Sequence, residues 1–256
     1  KDHTKKDDDK IIENLISHVL KIIQILKSQL FPLSKSQQDE VLEEYDELIK
    51  LVYTPSKYSK FHDKKDESNS SEETSDSKNR IFLAPKSISL EKKNIITPGA
   101  NTYGVNSILL NYTVTDKADG ERMLMYINNN GEAFLINDRF EVFDTGLRTK
   151  AKNIFKSLID GEFINTFNTI IYAAFDIYFL NKEPLTSLPL MNTKSVSART
   201  RYGALKQVCD KKIWNNTKYI EFRCKDIIFA EGDEMKKACK NILENVYKLG
   251  YKIDGL

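Results

Sequence analysis

The sequence predicts an α+β fold, antiparallel sheets flanked by helices and preceded by a helical hairpin. Three observations carry that expectation. Two N-terminal stretches place apolar residues at helical spacing, a wholly polar tract follows them, and from Ile81 onward the pattern becomes a series of short β-like runs.

Taken in order, "IIENLISHVLKIIQILKSQL" and "SQQDEVLEEYDELIKLVY" form the arms of the hairpin, the second through Val41, Tyr45, Leu48, Ile49 and Val52. The segment "FPLSKS" breaks them, with Ser34 or Ser36 as N-cap of the second helix. No catalytic group stands out on this hairpin, residues 1–55, so it reads as a packing or connecting element. Next, "HDKKDESNSSEETSDSKN", His62 to Asn79, has no apolar residue and cannot bury enough surface to offset its ordering entropy. It predicts an acidic, Ser-rich disordered linker over residues 56–80.

The β-like runs are "IFLAPKSISL", "NYTVT", "RMLMYI", "EAFLIN", "FEVFDTGL", "EFI", "IIYAAFDIYFL" and "YIEFRCKDIIFA". Asn130-Gly131 between two of them is a hairpin signal. Helices are expected near Val196 to Val208 and from Asp233 to Leu249, the latter stopped by Gly250. The closing "GYKIDGL" reads as a strand cut short, as expected of a fragment of something longer.

Composition narrows the chemistry. With 256 residues and 40% apolar content the chain can build a real core, as one large domain or two modest ones. Lysine plus arginine number 39 against 37 aspartate plus glutamate, so any basic groove is local. The three cysteines, Cys209, Cys224 and Cys239, are widely spaced without a C-x-x-C pair, which argues against a disulfide framework or zinc site and for a reducing compartment. No apolar run reaches the ~18 residues of a membrane span, and the charged first ten residues do not resemble a secretory signal, so a cytoplasmic location without membrane contact is expected. All three histidines, His3, His18 and His62, lie in the first quarter, so chemistry in the remainder must use Lys, Arg, Asp, Glu, Tyr or Cys.

Against that background the stretch "TDKADGERMLMYI" stands out, because Lys117, Asp119, Gly120 and Arg122 form K-x-D-G-x-R. A lysine attacks only as the neutral amine, and with an unperturbed pKa of about 10.4 only about one in a thousand is neutral at roughly pH 7.4. Partial burial and a neighbouring cation, Arg122 or a bound metal, would lower that pKa, while Gly120 would let a phosphate approach the backbone. Alone, the motif is moderately specific, with a charged surface turn as the alternative.

Further segments follow in order: "LIDGEFI" with Glu162 on a strand after an Asp-Gly turn, "IYAAFDIYFL" with Phe175-Asp176, "IEFRCKDIIF" with Lys225, and "KIDGL" with Asp254. The series, from about Ile81 to Leu256, resembles the covalent nucleotidyltransferase superfamily of mRNA capping guanylyltransferases and ATP-dependent DNA and RNA ligases. The resemblance implies a nucleotidyltransferase domain over residues 81–256, C-terminally incomplete because a later lysine-bearing motif and an OB-fold lid are absent.

It also implies roles. Lys117 would attack a nucleoside triphosphate at the α-phosphate, Arg122 would bond the ribose or phosphate, and Phe175 would stack on the base. Glu162 would take the ribose hydroxyls or help hold metal, and Asp254 would bind Mg²⁺ or Mn²⁺. Duller readings stand beside these: Glu162 a turn carboxylate, Phe175 core packing, Asp254 a hairpin residue.

Between the two branches, the ligase form of E-G followed by apolar residues fails at "FAEGDEM", whereas "IDGL" resembles the capping form. Lys225 sits where capping enzymes place a lysine toward guanine, although an outward strand lysine is the alternative. Upstream, "APKSISLEKKNI" is similar to the segment leading into the guanylyltransferase domain of multifunctional capping enzymes of large cytoplasmic DNA viruses. GTP and a 5′-diphosphate RNA end are the implied substrates, with triphosphatase and methyltransferase domains adjoining, in host cytoplasm or virion. An ATP-dependent ligase adenylation domain and a non-catalytic RNA- or partner-binding scaffold remain the alternatives.

Overall fold

A computed structural model describes residues 33–53, 80–96, 107–166, 169–191, 199–215 and 220–256, together with residues 11, 12, 15 and 19. The polar linker lies outside the described residues. So does the first arm of the expected hairpin, apart from Ile11, Ile12, Leu15 and Val19, which are helical and exposed.

The second arm is helix α1, Lys35–Lys50. Ser34 is its N-cap, in a reciprocal capping box: Gln37 N donates to Ser34 Oγ at 3.3 Å, and Ser34 N donates to Gln37 Oε1 at 3.0 Å. Val41, Leu42, Tyr45, Leu48 and Ile49 recur on one face and are buried against the sheet described below.

Residues 81–90, read from sequence as a strand, form none. Pro85 has no N–H to give a ladder, and the apolar residues beyond it face solvent, Ile88 at 92% exposure. Instead the segment is tethered to α1. The Tyr45 hydroxyl donates to Ile81 O at 2.6 Å and accepts from Leu83 N at 3.1 Å.

The main sheet holds seven strands. They are β3 Glu121–Ile127, β4 Glu132–Ile136, β5 Val142–Arg148, β6 Ser157–Asn165, β7 Ile170–Leu180, β8 Glu183–Pro184 and β9 Ile220–Cys224. Their order is β5-β4-β3-β6-β7-β8, all antiparallel, with β9 added parallel to β7. The β3–β4 turn uses the Asn-Gly signal, Gly131 taking φ 75°, and a Cβ there would lie 2.1 Å from Thr149 O. Residues of β3 are buried on both faces, which is why "RMLMYI" is continuously apolar: Met123, Met125 and Ile127 face one core, Leu124 and Tyr126 the other.

The run "YIEFRCKDIIFA" is two strands, not one, because Lys225 and Asp226 interrupt it. Its second half, β10 Ile228–Ala230, pairs with β1 Tyr112–Val114. Helix α3, Glu234–Glu244, packs on that pair through Met235, Ala238 and Ile242. It ends earlier than expected, at Asn245, and the chain continues as a 3-10 turn, Val246–Lys248, before Gly250 at φ 75°. Helix α2 runs Arg201–Val208, capped by Thr200, with the start of the expected span outside the described residues.

A last pair, β2 Lys117–Ala118 with β11 Ile253–Gly255, packs against the main sheet through Ala118, Ile164, Ile171 and Ala173, with Tyr251 beside them. Alternation then places the site. The β3 positions that meet α1, Leu124 and Tyr126, continue to Arg122, and Leu158 of β6 continues to Asp160 and Glu162. One sheet face is thus shared, α1 covering one part of it and β2–β11 standing beside the other.

Candidate active site

Lys117 is held by backbone pairing. β2 and β11 are antiparallel with Gly255 opposite Lys117, and Asp119 N donates to Lys252 O at 3.0 Å. That register brings Lys117 Nζ to 2.5 Å from Asp254 Oδ2, both side chains half exposed or more. The Asp254 hydrogen bond raises the Lys117 pKa above its ordinary value, helped by the charges of Asp254, Glu162 and Asp119. Without substrate, therefore, the amine is held as ammonium.

Glu162 comes from β6. The sequence reading placed it after an Asp-Gly turn, but Asp160 and Gly161 lie inside the strand, with Arg122 opposite Glu162. Burial pushes the Glu162 carboxyl up, opposed by the charges of Lys225, Arg122 and Lys117. Gly120 is explained by this strand. A Cβ on it would lie 2.6 Å from Phe163 O and 2.8 Å from Glu162 Cγ, so close backbone packing demands glycine whatever a phosphate does.

Arg122 engages Asp160 bidentately, Nε to Oδ1 at 3.0 Å and Nη2 to Oδ2 at 2.5 Å, and its Nη1 donates to Pro85 O at 2.5 Å. Asp160 is wholly buried and also accepts from the Tyr178 hydroxyl. All three guanidinium nitrogens thus have protein partners, and the group is a structural anchor as much as a free donor.

Phe175 is the extra residue of a bulge. Asp160 pairs with Asp176 and Gly161 with Ala174, so Phe175 has no ladder partner, and its side chain packs in part against the main core, as the duller reading expected. The ring is half-buried, with Arg122 at 5.6 Å and Lys225 Nζ at 5.5 Å from its centroid. Lys225 is not an outward strand lysine. It lies just past the end of β9, is 5% exposed, and donates from Nζ to Asp116 O at 3.0 Å.

All six residues singled out from sequence, Lys117, Arg122, Glu162, Phe175, Lys225 and Asp254, are thus linked through these contacts and charges into one cluster. The sequence reading missed Asp116, Asp160, Tyr178 and Tyr251. Asp160 could have been found from its apolar flanks, which mark a strand rather than a turn; the others carry no motif signal.

Asp254 pairs directly with the lysine, and Glu162 is near enough for its charge to act on it, so two hard oxygen donors stand at Lys117. Among the described residues no group of three or more His, Cys, Asp or Glu could hold a metal ion. This donor set suits a magnesium-like cation that keeps water and takes substrate phosphate oxygens. No helix among the described residues is long and apolar enough to cross a membrane.

The comparisons with known proteins bear on the chain as a whole. The chain is similar to a probable mRNA-capping enzyme of Acanthamoeba polyphaga mimivirus, 26% identical over 237 residues. The similarity covers 93% of this chain but spans only 17% of that much longer relative. The catalytic domain of mRNA capping enzymes matches residues 63–256, which include the K-x-D-G lysine, both carboxylates and the paired strand that presents Asp254. By that match the chain belongs to the mRNA capping enzyme catalytic-domain family, a family of nucleotidyltransferases.

Proposed function

We propose that this domain is a GTP:mRNA guanylyltransferase that works through a lysyl-GMP intermediate. Neutral Lys117 Nζ attacks the α-phosphorus of GTP, the bond to the bridging oxygen breaks, pyrophosphate leaves, and Nζ sheds a proton to become a phosphoramidate. In the second step a terminal phosphate oxygen of a 5′-diphosphate RNA attacks the same phosphorus. The P–N bond breaks, Lys117 recovers its proton, and GMP passes to the RNA end.

The observation that carries this reading is the meeting of Lys117 with Asp254 and Glu162, beside a half-buried aromatic ring flanked by Lys225 and Arg122. Phe175 would stack on guanine, and Lys225 would donate to its oxygen, since two of its contacts leave a further N–H available. Glu162 would accept from the ribose hydroxyls. Any guanidinium N–H not spent on Asp160 and Pro85 would meet ribose or phosphate. A Mg²⁺ or Mn²⁺ ion held by Asp254, with Glu162, would neutralise the carboxylate that now keeps Lys117 charged and would offset phosphate charge. A multifunctional parent with triphosphatase and methyltransferase domains, acting in host cytoplasm or virion, fits a relative of which this chain spans 17%.

The test is incubation of the intact protein with α-labelled GTP or ATP and Mg²⁺, followed by denaturing electrophoresis. Label from GTP, absent in Lys117→Ala, is expected. Label preferentially from ATP would instead assign a ligase-type adenylation domain, and no label at all a binding scaffold.

A further inference from the structure

Directly before Lys117 lies a buried acid that no family motif explains. Asp116 is 2% exposed, and it touches two other parts of the cluster. Its backbone oxygen accepts from Lys225 Nζ at 3.0 Å, and its Oδ2 lies 3.4 Å from the same ammonium. The same Oδ2 accepts from the Tyr251 hydroxyl at 3.0 Å. Tyr251 in turn lies under the Arg223 guanidinium at 5.0 Å and stands at the entry to β11, three residues before Asp254.

A buried ion pair is a poor way to stabilise a core. Desolvation offsets most of its attraction, and apolar replacements of similar volume are often neutral or better. What such a pair does supply is fixed position, because an ammonium without its carboxylate cannot remain there. Asp116 supplies it at the one point where the nucleophile's strand, the lysine beside Phe175 and the approach to Asp254 meet.

On the guanylyltransferase reading above, we infer that Asp116 is a positioning residue, fixing Lys225 at the base through its carboxylate and the Asp254 strand through Tyr251. The two arms separate chemically. The arm to Lys225 governs which base is accepted, while the arm to Tyr251 governs how well β11 presents Asp254 to the cation.

Two variants of the intact protein test this, each assayed for label from GTP and from ATP across a magnesium titration. Asp116→Asn keeps an oxygen for Tyr251 but removes the charge that faces Lys225. It should narrow the GTP-over-ATP ratio by about 10- to 100-fold, the range for a hydrogen bond to a charged group. Tyr251→Phe keeps the ring under Arg223 but loses the hydroxyl. It should raise the magnesium concentration for half-maximal label by about two- to tenfold, with the GTP-over-ATP ratio unchanged.

A general loss of stability would depress label from both nucleotides and leave the ratio where it was. An unchanged ratio in a folded Asp116→Asn overturns the inference, as does an unchanged magnesium requirement in Tyr251→Phe. If Asp116→Asn does not fold, the magnesium titration of Tyr251→Phe decides alone. Wild-type label drawn from ATP would refute the guanine reading itself, and the magnesium arm would still test the network.

Discussion

Replacing Arg122 by methionine strands the Asp160 carboxylate. Asp160 is fully buried, its guanidinium partner is 31% exposed, and the pair is bidentate, with the Tyr178 hydroxyl as the only further donor among the described residues. Breaking one side of such a pair costs about 3–5 kcal/mol, against about 0–1 kcal/mol for an exposed pair. For a domain of this size that is a fall in Tm of about 6–20 °C.

The deficit should also depend on pH. Burial already pushes the Asp160 carboxyl above its ordinary value, and loss of the cation pushes it further. An acid whose folded pKa lies above its unfolded one destabilises at high pH, and the penalty shrinks as pH falls toward the unfolded value of about 3.9. Stability lost at neutral pH should therefore return at up to about 1.4 kcal/mol per pH unit once the variant's carboxyl begins to protonate. Urea unfolding followed by circular dichroism at two pH values, without nucleotide, measures both effects. Adding Asp160→Asn to Arg122→Met should recover about half of the loss or more. A deficit below about 1 kcal/mol, or one that ignores pH, would refute the account of Arg122 as the anchor of a buried charge.

Four further outcomes are expected. Tyr45→Phe leaves the buried Leu83 N–H without its acceptor, so unfolding free energy should drop by about 1–3 kcal/mol, and an unchanged melting curve would detach residues 81–85 from α1. Gly131→Ala forces a side chain into φ 75° and against Thr149 O, costing more than about 2 kcal/mol; a smaller cost would mean the β3–β4 turn can relax. Formation of the lysyl nucleotide should rise with pH between about 6 and 8, because Asp254 holds Lys117 as ammonium and only the neutral amine attacks. A flat or falling rate would place the limiting proton elsewhere. Lys117→Arg should give no label at any pH, since guanidinium stays protonated.

Strands β3, β4, β5 and β7 were legible because short apolar runs and the Asn-Gly turn are local signals, β6 only at its end "EFI", and Lys117 because its motif is contiguous. What sequence did not reveal depended on register. The bulge at Phe175 exists only when β6 and β7 are paired. The break at Lys225 was invisible because the run stays apolar on both sides, and its buried ammonium needs Asp116, 109 residues away in sequence. The segment from Ile81 to Leu90 shows the reverse error. Its alternation resembles a strand, but no neighbour offers it a ladder and Tyr45 takes its backbone groups instead.

The central claim is that Lys117 carries the nucleotide, and mass analysis of the intact protein after reaction tests it most directly. With GTP and Mg²⁺, proteolysis and peptide mapping should find one GMP on Lys117, with pyrophosphate released in equal amount and no adduct in Lys117→Ala. A GMP on any other residue, or an AMP formed in preference when both nucleotides are supplied, would contradict it.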